Sequence, residues 1–385
     1  MTMASEISRA PLARLYEVRG IGMPNKGAEL MLLAIKEHFG QKQRSIEFAS
    51  SPFTSFKARA KYELFQKADY QLKGFDFSKF LAWAPRSLRK QYGIVRESDI
   101  DAILDASGFA YGEQWGHAKL RKRVVDKIAT WKRQGKKVIF LPQAFGPFDA
   151  KEFRPLVEEM IANADLIFAR DKESYNALGG EVHDNIFLSP DITTLIDSGK
   201  YKRNNSAART FCIIPNNKII EMTGEGERYL EALSDTIKLL RSRGWSPFVL
   251  NHEGEQDLHI GREIIKRSGY DIPMVNHNDP WQLKSIIAGS SGVLSSRFHG
   301  LVSALSSGVP AVSFGWSHKY DELMEDYSVD HLAAGSTQEI VQKIDWLLSV
   351  EMQSDVPRIL NARASQQKQQ VREMWKLVDR TLGHD

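Results

Sequence analysis

Cysteine is almost absent from this sequence. Cys212 is the one cysteine among 385 residues. A single thiol forms no internal disulfide, which excludes the small secreted domains that disulfides hold together. Cys212 lies in the apolar run Phe211-Cys212-Ile213-Ile214, with no charged neighbour in the run to activate a thiol, so we interpret it as a buried strand residue.

Long hydrophobic runs and a strong charge imbalance are also missing. No stretch reaches the roughly 18 apolar residues of a membrane-spanning helix, and the N-terminus lacks the apolar core of a signal peptide, so we expect a cytoplasmic protein. The 52 Lys and Arg residues are set against 48 Asp and Glu residues. The basic clusters are scattered, which argues against a nucleic-acid partner. Peripheral attraction to an anionic membrane face and a pocket for an anionic substrate both stay open.

The sequence does have a regular alternation of short apolar runs and longer amphipathic segments in both halves. The length suits two domains of roughly 150–200 residues each, and the polar segment 198–209 is the best linker candidate. We predict an N-terminal domain over residues 1–200, a C-terminal domain over 208–350, and a helix over 355–385 that packs back across both. The fold class is α/β, with two Rossmann-like parallel sheets that face a cleft.

Ligands of such sheets bind at the carboxyl ends of the strands, so the loops there are the places to look for chemistry. One loop reads Ser295-Ser296-Arg297-Phe298-His299-Gly300 and opens a predicted helix. The start of a helix attracts anions, Arg297 suits a carboxylate or a phosphate, and His299 adds a titratable group. The alternative, an Arg in a structural ion pair and a packed His, is equally compatible with these residues.

Other predicted strand ends carry polar side chains as well. The loop after residues 311–314 offers His318 and Lys319, and Arg170, Gln143 and Asp191 follow strands of the first half. Each residue alone has a sufficient structural explanation, such as a helix cap for an aspartate or solvation for a lysine. Two successive loops that each carry a His and a cation favour a functional site in the second domain.

The glycine-rich first loop is not a dinucleotide fingerprint. Gly20, Gly22 and Gly27 have the wrong spacing for G-x-G-x-x-G. No Walker A motif and no Cys/His metal spacing is present in the sequence. We therefore predict no metal ion and no bound cofactor.

Taken together, these loops resemble the polysaccharide pyruvyl transferase family. No single motif carries the resemblance, which is specific only as an ordered combination of short motifs. The motifs are Asn25-Lys26-Gly27-Ala28-Glu29, Pro142-Gln143-Ala144-Phe145-Gly146-Pro147, Arg170-Asp171 with Ser174, Pro190-Asp191, Ser296-Arg297-Phe298-His299, and Gly308-Val309-Pro310 followed by Lys319. The sequence departs from the family pattern at Ala28, where an acidic residue is usual, and at Ser107, where a Gly-Gly pair is usual. Phe298 stands where leucine is common.

The resemblance implies a glycosyltransferase-B-like fold and transfer of the pyruvyl group of phosphoenolpyruvate to a sugar as a ketal, in exopolysaccharide or cell-envelope glycan synthesis. Phosphoenolpyruvate would be the co-substrate, and the acceptor a sugar or a lipid-linked oligosaccharide. Arg170, Arg297 and His299 would hold and protonate the donor, while Asp191 or Glu29 would activate the acceptor hydroxyl. The remaining substrate-binding residues expected from these loops are Lys319, His318, Asn25, Gly27, Ser107, Gln143 and Ser296.

Two other functions remain open at this point. One is a glycosyltransferase of the same architecture that uses a nucleotide sugar, with its diphosphate at the helix start next to Arg297. The other is a carbohydrate-binding protein without catalytic activity in a glycan assembly system. The ordered set of Arg, His and Lys at strand ends favours an enzyme.

Overall fold

The computed structural model of the chain describes residues 13–23, 25–41, 46–51, 54–68, 71–72, 75–76, 81, 83–197, 209–349 and 356–384. Within these residues, the strands form two large parallel sheets and one short antiparallel pair. Of the linker predicted at residues 198–209, only Arg209 is among the described residues. The positions at which we placed domain boundaries, residues 200, 208, 350 and 355, also lie outside them.

The strands of the first half run from Arg14 to Leu188. They are β1 Arg14–Arg19, β2 Ile46–Ser50, β3 Leu64–Lys67, β4 Gln71–Leu72, β5 Phe75–Asp76, β6 Ile94–Val95, β7 Ala102–Asp105, β8 Phe109–Tyr111, β9 Lys137–Phe145, β10 Leu166–Ala169 and β11 Ile186–Leu188. The large sheet has the order β11-β10-β9-β7-β1-β2-β3-β6, with β8 beside β9, and β4 pairs only with β5. The central strands are buried along most of their length, as expected of a parallel sheet covered on both faces.

The helices of the first half cover both faces of this sheet. They are α1 Lys26–Gly40, α2 Phe56–Tyr62, α3 Arg86–Gln91, α4 His117–Leu120, α5 Asp126–Arg133, α6 Arg154–Asn163 and α7 Lys172–Ala177, with a π-helical turn at Arg121–Val125 between α4 and α5. Asn25 begins α1, because its side chain accepts a hydrogen bond from the backbone N–H of Ala28 at 3.0 Å. The helix therefore starts directly in the loop that follows β1.

The second half repeats the pattern around a smaller sheet. Its elements are β12 Thr210–Ile214, α8 Asn217–Thr223, α9 Gly226–Ser242, β13 Ser246–Asn251, α10 Gly254–Ser268, β14 Met274–Asn276, α11 Pro280–Ala288, β15 Gly292–Ser295, α12 Phe298–Leu305, β16 Ala311–Ser313, α13 Lys319–Asp326, α14 Thr337–Ser349 and α15 Val356–Thr381. The strand order is β14-β13-β12-β15-β16, and every neighbouring pair is parallel. Cys212 is fully buried in β12, as the sequence predicted.

The last helix, α15, contacts the cores of both halves. Val356, Leu360 and Ala364 belong to the core of the second half, whereas Val371 and Trp375 pack into the core between the first sheet and α1. The helix thus ties the two sheets together along one side of the molecule. No helix in the described part of the chain is long and apolar enough to span a membrane.

Two sequence-based assignments of single elements were wrong, and both concern predicted site residues. The strand expected to end at Leu141 continues to Phe145, so Gln143 lies inside β9 and not in the loop after it. Its neighbours on both sides are buried and apolar, which favours continuation of the strand. Lys319, expected in a loop, is the first residue of α13.

Candidate active site

A cleft of about 420 Å³ lies between the carboxyl ends of the two sheets. Its walls come from the loops after β1 and β7 on one side and from the loops after β12, β13 and β15 on the other. Seven of the twelve site residues predicted from the sequence line it, which are Asn25, Gly27, Ser107, Arg170, Arg297, His299 and Lys319. The other five, Glu29, Gln143, Asp191, Ser296 and His318, lie outside this lining.

His299 belongs to the second half and contacts residues of the first half. It is the second residue of α12, and its side chain is 16% exposed. Its ring fits closely against Gly27 of the first half, because a Cβ added to Gly27 would lie 2.1 Å from His299 Nδ1. Gly27 therefore has a steric role in this structure, in that any side chain at this position would displace the histidine.

Asp191 lies directly beneath His299 and holds the other side of its ring. His299 Nε2 is 3.4 Å from Asp191 Oδ2, and Arg170 Nη1 is 3.0 Å from the same oxygen. Thr193 donates two further hydrogen bonds to Oδ1, from its backbone N–H at 2.9 Å and its hydroxyl at 2.6 Å. Burial raises the pKa of Asp191, but His299, Arg170 and Thr193 outweigh it and hold the pKa well below its ordinary value.

The placement of Asp191 corrects the expectation that its carboxylate reaches the acceptor. The residue is 2% exposed and both oxygens have partners. The ionised carboxylate of Asp191, 3.4 Å from His299 Nε2, instead orients the imidazole.

Arg170 stacks on α12 as well as pairing with Asp191. Its guanidinium carbon lies 3.9 Å from the centre of the Phe298 ring. Its Nε has no hydrogen-bond partner among the described residues and is buried. Arg170 therefore keeps a donor for a ligand in the cleft while its far side is fixed by Asp191 and Phe298.

Arg297 is more strongly neutralised than the sequence suggested. Its Nη2 lies 2.6 Å from Asp257 Oδ2 and its Nε donates to the same oxygen at 2.8 Å, while Nη1 pairs with Glu253. Burial lowers the pKa of Arg297, but the two carboxylates outweigh it and the net shift is upward. Arg297 therefore lines the cleft in a fixed orientation, and the two carboxylates neutralise part of its charge.

Lys319 is a buried lysine enclosed by aromatic rings. Its Nζ lies 4.9–5.6 Å from the ring centres of Trp316, Phe109, Tyr320 and Phe298. Burial, followed by the charge of Arg170, lowers its pKa from 10.5 to about 7, with Asp171 opposing and Arg297 adding to the shift. Lys319 thus changes its charge close to neutral pH and responds to any anion placed beside it.

Glu29 and Gln143 are turned away from the cleft. Glu29 is buried and accepts hydrogen bonds from the Tyr62 hydroxyl, from Lys61 Nζ at 3.2 Å and from Lys26 Nζ at 2.9 Å. Gln143 is fully buried in β9, with its amide nitrogen 3.4 Å from Asp105 Oδ1. Both predictions fail for one reason, which is that the side chains are used by neighbours in their own half.

Ser296 and His318 also serve neighbours of their own. Ser296 is fully buried, and its carbonyl oxygen accepts hydrogen bonds from Asn216 Nδ2 at 2.7 Å and from the Tyr320 hydroxyl at 3.1 Å. The His318 ring faces acids of the first half, with Nε2 3.8 Å from Asp171 and Nδ1 3.5 Å from Glu173. Ser296 shapes the loop before α12, and His318 joins the two halves outside the cleft.

The sequence reasoning missed His252 and Glu253, which follow β13 and line the cleft. The rule that directs attention to strand ends applies to Asn251-His252-Glu253, but no motif drew attention to it. His252 is 3% exposed, and neither ring nitrogen has a hydrogen-bond partner among the described residues. Burial lowers the pKa of His252 well below its ordinary value, and the charges of Arg297, His299 and Lys26 lower it further.

A second cavity of about 500 Å³ adjoins the cleft at Gly20 and Gly22, which line both. We call it the basic cavity, because Arg19, Lys67, Lys122, Arg123 and Lys127 line it. Glu17 contacts Lys67 at 2.8 Å and Arg19 at 3.7 Å and offsets part of this charge. Arg123 connects the two spaces, since its Nη2 donates a hydrogen bond to Ser107 Oγ at 2.8 Å.

No group of three or more His, Cys, Asp and Glu side chains is placed to hold a metal ion in the part of the chain that the structure describes. Arg170, Lys319 and His299 converge with the start of α12, and His252 and Glu253 add a histidine and a carboxylate.

Comparison of the sequence with family models finds a match to polysaccharide pyruvyl transferase over residues 25–318. No curated protein matches the sequence at a significant level. This family match begins at Asn25, after β1, and includes the other strands of both sheets and the cleft residues from Asn25 to Trp316.

Several solved structures share the overall architecture. A UDP-GlcNAc 2-epimerase from Neisseria meningitidis, bound to UDP-GlcNAc, aligns with a TM-score of 0.58 at 12% identity, covering 97% of this chain and 100% of that one. The HepE protein of Anabaena, in complex with UDP and glucose, aligns at 0.57 and 14% identity, covering 94% and 99%. A glycosyltransferase from Rickettsia africae aligns at 0.56 and 10% identity, covering 98% and 100%. At these identities the likeness establishes the fold, which is the two-domain glycosyltransferase-B architecture.

Proposed function

The chain belongs to the polysaccharide pyruvyl transferase family, and we propose that it transfers the pyruvyl group of phosphoenolpyruvate to a sugar, forming a ketal and releasing phosphate. The observation that carries this proposal is the convergence of Arg170, Lys319 and His299 in one cleft at the start of α12. The donor is small and carries a carboxylate and a phosphate, so it needs cations and a proton donor within a few ångströms of each other.

Donor binding rests on three groups. Arg170 offers its unpartnered Nε, and Lys319 offers an ammonium that the donor's own negative charge stabilises. Arg297, the N-cap residue of α12, gives the helix no side-chain capping hydrogen bond, so the first-turn N–H groups stay available to an anion. Arg297 itself remains oriented by Asp257 and Glu253 and contributes one face of the pocket.

His299 is the proposed general acid. The Asp191 carboxylate beside its Nε2 orients the ring, and the protonated ring delivers a proton to the methylene carbon of the donor. The central carbon then becomes electrophilic, and an acceptor hydroxyl attacks it. The C–O bond to phosphate breaks, and the second hydroxyl closes the ketal. General acid catalysis of this kind contributes roughly 10²–10⁴-fold in rate.

The acceptor side of the proposal is the space above Gly20, Gly22 and Ser107, which leads into the basic cavity. A glycan that enters there places its hydroxyls next to the donor. The positive lining suits an acceptor that carries negative charge, such as a lipid-linked oligosaccharide with its phosphates.

The test is to supply phosphoenolpyruvate with a panel of acceptor glycans, both free and lipid-linked, and to measure phosphate release and the mass of the glycan product. We expect release that depends on the acceptor and a product heavier by one pyruvate ketal. Replacing His299 with Gln is expected to reduce kcat by about 10²-fold or more. Arg297→Ala is expected to lower turnover because the cleft loses a side chain of fixed orientation that lines it. Unchanged turnover in both variants would refute the proposed site.

The competing proposal is a glycosyltransferase that uses a nucleotide sugar, since the HepE structure of the same architecture contains UDP and glucose. Calorimetry separates the two. Binding of phosphoenolpyruvate with no binding of UDP- or GDP-sugars supports pyruvyl transfer, and the reverse result supports the glycosyltransferase. Failure to bind either donor would favour a carbohydrate-binding protein without catalysis.

A further inference from the structure

His252 is a polar side chain without a structural partner. Its ring lines the cleft and is 3% exposed, yet neither nitrogen has a hydrogen bond among the described residues. Buried polar groups in native proteins almost always have a partner, because burial without one destabilises the fold. A histidine kept in this state at the wall of a ligand cleft indicates that its partner is a substrate.

The two histidines of the cleft lie in opposite electrostatic surroundings. His299 Nε2 lies 3.4 Å from the ionised carboxylate of Asp191. Burial keeps His252 neutral by lowering its pKa, and the charges of Arg297, His299 and Lys26 lower that pKa further. Environments that separate two titratable groups in this way assign one as the acid and the other as the base of a reaction.

We propose that His252 is the catalytic base that takes the proton from the attacking hydroxyl of the acceptor. This inference rests on the proposed pyruvyl transfer and deepens it by naming the group that activates the acceptor. It also fills a gap left by the structure, because Asp191 and Glu29, the bases expected from the sequence, do not line the cleft and have their carboxylate oxygens engaged by neighbouring side chains.

The proton balance of the reaction closes with these two histidines. His299 gives its proton to the methylene carbon of phosphoenolpyruvate, which becomes a methyl group. His252 takes the proton of the first hydroxyl as its oxygen bonds to the central carbon. The C–O bond to phosphate then breaks, its electron pair leaves with the phosphate, and His252 returns the proton to that oxygen. The second hydroxyl attacks and gives its proton to the now neutral His299, so both rings regain their starting state.

The charge of the donor controls when His252 acts. Without a ligand, the neighbouring cations make it a weak base. A donor with a carboxylate and a phosphate places negative charge beside the ring, which raises the pKa of His252 towards the range where general bases are effective. Activation of the acceptor therefore depends on prior binding of the donor.

A titration of the unmodified protein tests this coupling directly. The ring nitrogens of all histidines are labelled with ¹⁵N, and His252 is assigned by comparison with the His252→Gln spectrum. We expect His252 in the free protein to stay neutral at pH values where an ordinary histidine is protonated, and its apparent pKa to rise when phosphoenolpyruvate is bound. His259, an exposed histidine on α10, is the internal control and should not shift.

Activity of matched variants is the second test. His252→Gln is expected to lower kcat by about 10²-fold or more, with the Kd for phosphoenolpyruvate within threefold of the unmodified protein. His259→Gln should leave both unchanged. Imidazole added to His252→Ala should restore part of the turnover and shift its pH profile, which a purely structural role would not produce.

The outcomes separate the two proposals. If phosphoenolpyruvate binds and the acceptor is pyruvylated, but His252 shows no shift with the donor or His252→Gln keeps full turnover, the role of His252 is wrong and pyruvyl transfer stands. If phosphoenolpyruvate does not bind at all, pyruvyl transfer fails and the role of His252 fails with it. Should His252→Gln not fold, the titration of the unmodified chain still decides.

Discussion

Gly27 is the position at which one added methyl group tests the geometry of the cleft. In Gly27→Ala, the new Cβ would lie 2.1 Å from Nδ1, 2.7 Å from Cε1 and 2.8 Å from Cγ of His299. Carbon atoms in contact are ordinarily about 3.5–4.0 Å apart, so the ring must move by more than about 1 Å. The movement breaks its alignment with Asp191 and with the donor. A misplacement of about 1 Å can cost 10²-fold in rate, and we expect a loss of kcat of about that size.

The assay is phosphate release with phosphoenolpyruvate and the accepted glycan, together with thermal unfolding. Gly40→Ala is the matched control, because Gly40 ends the same helix and a Cβ there meets no atom within 4 Å. Thermal unfolding of the two variants separates a loss of stability from a loss of activity. In a His299→Ala background, Gly27→Ala should cause no further loss, as in a double-mutant cycle for two residues in contact. If Gly27→Ala keeps its kcat within threefold, the packing of Gly27 against His299 has no role in the reaction.

Two further predictions follow from buried lysines whose pKa is lowered to about 7. Lys319→Met is expected to weaken phosphoenolpyruvate binding by about 10–100-fold at pH 6, where Lys319 is charged. The difference in Kd between the two proteins should be smaller at pH 9, because the unmodified enzyme must first protonate the lysine there. The donor ionises identically in both proteins, so the difference in Kd measured by calorimetry at the two pH values reports on the lysine alone. An equal difference in Kd at both pH values would refute the titration of Lys319. Lys284 donates to the Thr193 carbonyl at 3.0 Å and to Ser306 Oγ at 3.2 Å, and its pKa falls from 10.5 to about 7 through burial and then Lys368. Between pH 7 and 10 the unfolded chain binds more protons than the folded one. Raising the pH over this range should therefore raise the Tm of the unmodified protein relative to that of Lys284→Met. Parallel Tm curves would contradict this.

The fold and many of its elements could be read from the sequence. Strand–helix alternation predicted two parallel sheets, and the structure has both. The reason is local, since a buried parallel strand needs a continuous apolar run and its crossover needs an amphipathic helix. The element that contains Gln143 was read too short, because its apolar pattern continues through a glutamine that the strand buries.

Which side chains reach the cleft was less predictable. The strand-end rule placed Arg170, Arg297 and His299 correctly beside one another, as all three follow strands whose carboxyl ends face the same space. The same rule placed Asp191 in the cleft, and the family resemblance did so for Glu29, but neither residue lines it. A carboxylate at a strand end has equal access to a ligand and to a neighbouring cation, and the sequence does not say which of these is nearer.

The sequence by itself determined two Rossmann-like sheets, the edge at which they meet a ligand, and the cationic residues offered there, because periodicity and strand ends are properties of consecutive residues. Only the tertiary structure decided the partners. It pairs Arg297 with Asp257 and Glu253, sets Asp191 below His299, packs Gly27 against that ring, and leaves His252 without a partner. These contacts join residues 40 to more than 250 positions apart. The pairs of Arg297 depend on how the elements of the second half pack, and the contacts of His299 with Asp191 and Gly27 depend on how the two halves dock. Local sequence preferences encode neither.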